Sequence, residues 1–169
     1  IISTVAGTTQ GYSGDSGQAS LAKLYSPSGL AFDTAGNLYV ADAGNSVIRK
    51  IDASGVITTV AGTGVAGYNG DGILATSAQL KIPVDVALDD SGNIYIADES
   101  NQRIRKVNTL GIISTIAGTG TMGFSGDGGP AVLANIGTPE GIALDNAGNI
   151  YFTEFVNHRI RKVTPLGII

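Results

Sequence analysis

Three aspartates, Asp15, Asp71 and Asp127, each follow a glycine and stand 56 residues apart. Carboxylates at equal spacing suggest two kinds of chemistry. One is a ring of metal ligands. The other is helix capping, in which each side-chain oxygen accepts from the free N–H groups of a short helix. The flanking "GYSGDSG" lacks the several spaced oxygen ligands of a calcium loop, so capping is expected. Two further carboxylates break the periodic pattern. Asp85 stands where the other copies have Gly29 and Gly141, and Glu140 where they have Ser28 and Val84. Both are weak candidates for a divalent cation. Carboxylates alone do not make a site, and drift at a tolerant position explains them more simply. His158 is the single histidine, and cysteine is absent. A histidine cluster or a Ser-His-Asp triad in every copy is therefore excluded, as are disulfides and thiolate chemistry. No catalytic residue, cofactor or metal is assigned.

Other recurring side chains have simpler readings. Tyr12, Tyr68 and Phe124 share only a ring, which suits anchoring a segment onto a sheet better than specific ligand binding. Asp98/Arg103 and Glu154/Arg159 flank four-residue turns and are expected to pair across strands, each worth up to about 1 kcal/mol. The first copy has Asp42 opposite Val47, so that pair is not essential. The pairs Arg49-Lys50, Arg105-Lys106 and Arg161-Lys162 are read as solvated rim charge that discourages edge-to-edge pairing.

The elements that must position these residues come from an internal repeat. Pro27, Pro83 and Pro139 are 56 apart, as are Gly36-Asn37, Gly92-Asn93 and Gly148-Asn149. The copies span approximately 1–55, 56–111 and 112–167 within a single domain of 1–169. One residue is missing between Gly7 and Gly14 relative to the others. Each copy predicts four strands: "GLAFD" (29–33), "LYVAD" (38–42), "VIRKI" (47–51) and "VITTVAG" (56–62) in the first. Gly and Asn between them supply turns. The second strand is apolar almost throughout, which predicts burial on both faces. About twenty residues then precede the next proline, and a helical turn is expected among them, carried by Ala19/Ala22 and their copies. Repeated four-stranded sheets buried on both faces predict a β-propeller.

"PSGLAFDTAGNLYVADAGNSVIRKI" and its two later copies resemble NHL repeats. The insertion "GYSGDSGQASLAKL" is similar to the variant in many bacterial NHL proteins and in the teneurin NHL domain. The resemblance covers essentially the whole chain and implies a propeller of six blades. Its motifs are specific for fold and weak for function. It points the parent toward a bacterial secreted or cell-surface protein, with the compartment itself unknown.

Three blades fall short of the four to eight that usually close a ring. The expectation is an all-β propeller of four-stranded antiparallel blades, three per chain, completed to six in a homodimer. The chain opens at Ile1 without Met or a leader, which reads as a processed, excised or engineered piece. Ile1 aligns with Val56, Ile112 and Ile168. Ile1, Ile2, Thr4 and Val5 would then supply the outer strand that the stub Ile168-Ile169 only begins. Loops after the second and fourth strands share one face, making Asn45, Asn101, Gln102, Asn157 and His158 a candidate binding face for a protein or small ligand. The leading function is a non-enzymatic scaffold that self-assembles by strand exchange. The alternative is a metal-dependent lactonase or lyase with its site in the channel, as in some six-bladed enzymes related in fold. A net charge of −4 argues against nucleic acid. No apolar run approaches the roughly 18 residues of a membrane span.

Overall fold

The computed structural model describes residues 1–169. The first sheet contains β1 (Gly17–Gln18), β2 (Pro27–Phe32), β3 (Leu38–Asp42), β4 (Val47–Ile51) and β5 (Val56–Ala61), in the order β1-β5-β4-β3-β2. The second contains β6 (Ile73–Leu74), β7 (Pro83–Leu88), β8 (Ile94–Asp98), β9 (Arg103–Val107) and β10 (Ile112–Ala117), in the order β6-β10-β9-β8-β7. The third has only β11 (Pro139–Leu144), β12 (Ile150–Glu154) and β13 (Arg159–Val163). All named pairings are antiparallel, and the three sheets are consecutive blades of a partial propeller.

Local chemistry accounts for the strand boundaries. Asp33 Oδ1 accepts from the Ala35 and Asn37 amides, closing the β2–β3 turn over Gly36 at φ +83°. Asp89 and Asp145 repeat this turn. The hydrogen bond from the Asn37 side chain, aided by the turn amides, holds the Asp33 carboxyl below its ordinary range. β3 and β8 are buried on both faces, as their apolar runs predict, whereas β12 and β13 of the third blade are open on one. Tyr39, Ala41 and Ile48 of the first blade pack against Val86, Ile94 and Ile96 of the second. Tyr95, Ala97 and Ile104 pack against Ile142, Ile150 and Phe152 of the third.

The insertion holds the expected helical turn and departs from the expectation by one added strand. Its helical turn is a single 3-10 turn, at Ala19–Leu21, Ala75–Ser77 and Ala131–Leu133. The added strand is a fifth, two-residue edge strand outside the fourth: β1 on β5 and β6 on β10. In the third copy Pro130 already bridges Ile168, and the Ile169 N–H donates to Gly129. The alanines at i and i+3 are buried beneath each turn, because only a small side chain fits between it and the blade.

The predicted capping by Asp15, Asp71 and Asp127 is corrected. The N-cap positions are Gln18, Leu74 and Pro130, and none makes a side-chain capping bond. A three-residue turn exposes few N–H groups and has little dipole. The aspartates answer a stronger demand, that of a buried guanidinium.

Candidate functional site

The most elaborate constellation is repeated in every blade. Arg105 is fully buried and lies between two carboxylates: Nη2 is 2.9 Å from Asp71 and Nη1 is 3.4 Å from Asp98. Arg49 sits likewise between Asp15 at 2.7 Å and Asp42 at 3.4 Å. Arg161 joins Asp127 and Glu154. A loop carbonyl also accepts from each arginine: Ser13, Gly70 or Ser125. Tyr12, Tyr68 and Phe124 lie over these guanidinium groups, about 5 Å from ring centre to Cζ, which is cation–π distance. This explains why a ring suffices in the third copy. The buried Nε of each arginine lacks an acceptor.

Two readings of charge are thereby corrected. The arginines of the Arg-Lys pairs are interior, and only the lysines face outward, Lys50 and Lys106 over Tyr39 and Tyr95. Adjacent strand residues point to opposite faces, so one basic pair serves two environments. Asp98 and Glu154 pair with Arg105 and Arg161 rather than with their cross-strand neighbours. Arg103 instead donates to the Asn101 and Thr119 carbonyls and stacks 3.8 Å from the Tyr68 ring centre. Sequence reasoning missed this interior cluster. Its only trace was an aspartate 34 residues before each arginine and a carboxylate seven before.

Burial pushes the Asp98 carboxyl up to about 6, outweighing the Lys81 amide, Asn101 and Arg105 contacts that lower it. A raised acid is protonated more readily in the folded chain than in the unfolded one, where its ordinary value is 3.8. Folding therefore takes up a proton between these values. The contribution of Asp98 to stability grows as pH falls through about 6 and is lost as pH rises through it. Denaturant unfolding of the unaltered chain and Asp98→Asn should show the difference in stability growing from about pH 7 to about pH 5. A flat difference would contradict this account.

The candidate binding-face residues divide sharply. Asn45, Asn101 and Asn157 donate to the Gly11, Gly67 and Gly123 carbonyls and to their blade's buried carboxylate. They fasten the insertion and are not free for a ligand, which corrects that reading. Gln102 is buried, and its Oε1 accepts from the Thr138 amide of the next blade at 2.7 Å. Gln102→Ala should cost about 1–2 kcal/mol, because it strands a donor at the junction; a shift of the urea midpoint measures it. Of this group only His158 is exposed.

At the channel mouth, Asp85 and Glu140 line an open cavity of about 380 Å³ with Ser28, Gly29, Val84 and Gly141. Asp85 Oδ1 accepts from the Val86 amide and Oδ2 from the Ile142 amide of the next blade. A side chain at Gly29 would meet the Asp85 carboxylate, which explains the glycine there. Asp85 is thus a staple between blades. No group of three or more His, Cys, Asp or Glu side chains gathers there for a cation.

The two flanks of the chain are open. Ile160 on β13 is 74% exposed, while its equivalents Ile48 and Ile104 are 0% exposed. At the other flank Ile2 is 99% exposed, while Ile57 and Ile113 are 0%. Leu30 of the first blade is likewise exposed, where its equivalents Val86 and Ile142 are buried, and Phe32 is exposed where Leu88 and Leu144 are half-buried. Residues 1–5 form no strand, but Gly7 is seated: its N–H donates to Ala19, as Gly62 does to Ala75 and Gly118 to Ala131.

Repeated blades, each with an insertion clamped by a buried arginine, define a repeat-built β-propeller segment. Residues 7–68 and 65–125 each match the family model of the teneurin NHL domain, and the chain belongs to that family. Human Teneurin-1 is 30% identical over 95% of this chain and 6% of its own length. The chain spans 5% to 8% of the length of such relatives. A Bacteroides thetaiotaomicron protein of unknown function superposes with a TM-score of 0.70 at 29% identity, over 79% of this chain and 34% of that one. Virginiamycin B lyase from Staphylococcus aureus superposes at 0.56 with 19% identity, over 83% and 39%, a likeness of fold alone. No helix here is long and apolar enough to cross a membrane.

Proposed function

We propose that the chain is a non-enzymatic interaction module whose first partner is a second copy of itself. Two copies complete six blades, each lending residues 1–6 as the outer strand of the other's third blade. The single observation that carries this reading is the matched exposure of Ile160 and Leu30, whose equivalents bury together elsewhere in the chain, Ile48 with Val86 and Ile104 with Ile142. The ladder supplies the register: Arg49 faces Thr59 and Lys50 faces Thr58. By the repeat, Arg161 would face Thr4 of the second copy. An open, apolar sheet flank is a liability that ring closure removes. In a longer chain, a following repeat would occupy the same flank.

Light scattering on the 169-residue chain tests the reading. A mass of two chains is expected. A stable, soluble monomer at micromolar concentration would refute it. The enzymatic alternative has less support, since Asp85 is spent on two backbone amides. Titration with calcium or zinc that raised the melting temperature would revive it.

A further inference from the structure

We propose that His158 makes the junction between copies sensitive to protonation, an inference that rests on the two-copy ring above. The internal junction between the second and third blades supplies the template. There Gln102, left-handed at φ 52°, accepts the Thr138 amide of the next blade. His158 lies one repeat later in the same backbone state, φ 53°. The residue it would meet is Ser26 of the second copy, two repeats before Thr138. Ser26 and Thr138 share φ 50°, so both sides of the closing junction have the backbone of the internal one. At the first junction the short Ser46 holds this place.

A neutral imidazole has one acceptor nitrogen for that amide, whereas an imidazolium has two donors and none. Protonation would set a cation against an N–H. The surrounding charges do not rescue it. On its own turn, Glu154 is engaged by Asn157 and Arg161, and Arg159 donates to the Asn157 carbonyl while stacked on Phe124. Across the junction, Asp42 of the second copy accepts from Tyr25 and Asn45 and pairs with Arg49. The internal junction sets Glu99 near Glu140, and burial with that like charge raises the Glu99 carboxyl. The closing junction would instead set Phe155 near Ser28. No unpaired acid remains there to hold an imidazolium. Assembly therefore favours the neutral ring, and it weakens when the imidazole takes up a proton.

Sedimentation velocity on the unaltered chain and His158→Gln, between about pH 8 and about pH 5.5, tests this. Circular dichroism at each pH confirms the fold. The unaltered dimer should weaken roughly tenfold per junction, about a hundredfold over two. His158→Gln, which copies Gln102, should hold its affinity throughout. Equal affinities for both proteins at every pH would overturn the proton-sensitive junction and leave the ring standing. Monomers of both proteins at every pH would overturn the ring, and this inference with it.

Discussion

Arg105→Ala is expected to cost about 3–5 kcal/mol, because it leaves a buried carboxylate without its counter-charge. Small domains have roughly 5–15 kcal/mol in total, so the variant should be largely unfolded in mild urea. Asp98 is fully buried beside the lost guanidinium, whereas Asp71 lies partly in solvent. The two aspartates therefore differ in what removing them does. Asp71→Ala should cost about 1 kcal/mol, as expected for a half-exposed ion pair. Arg105→Lys keeps the charge but not the planar fork that spans both acids, the Gly70 carbonyl and the Tyr68 ring. It should recover only part of the loss. Urea midpoints for the three variants decide the matter. If Arg105→Ala cost no more than Asp71→Ala, the arginine would not be the keystone of the blade.

On the proposed two-copy ring, Ile160→Asp should give monomer without unfolding the chain. Burying an isoleucine is worth about 1.5–3 kcal/mol. A twofold ring has two such junctions, so removing both contacts weakens association by a hundredfold or more. A buried charge adds to the loss. The same substitution at Ile104 would strike the interior, since that residue is already buried within one chain. Ile160 is exposed in the single chain, so its fold should tolerate the aspartate. Deleting residues 1–6 removes the complementary strand and should give the same result. Light scattering with circular dichroism reads both variants. An Ile160→Asp chain that remained a dimer of unchanged affinity would show that β13 is not the junction.

Much of the blade is legible residue by residue. The Asp33 turn closes within four residues and sets where β2 ends and β3 begins. β3 and β4 fall on the predicted residues, because the run Leu38–Asp42 and the turn after it state their structure locally. Asp85 was not legible in this way: its departure from the repeat reads as a weak cation candidate or as drift, and only the neighbouring blade shows it accepting from the Ile142 amide.

The candidate site was less legible. Asn45, Asn101 and Asn157 look like free loop residues until the insertion folds over them. Gln102 likewise meets Thr138 only once two blades stand side by side.

By itself the sequence determined the repeat, the strands, the turns and hence the propeller family, all of which depend on neighbours within one copy. The tertiary structure alone decided the fate of the charges. Asp15 and Arg49 are 34 residues apart and meet only when the insertion folds over its blade. Side-chain burial depends on what packs above it. An arginine on a strand therefore reads the same at a solvated rim as in an interior, until the ring and the carboxylates arrive.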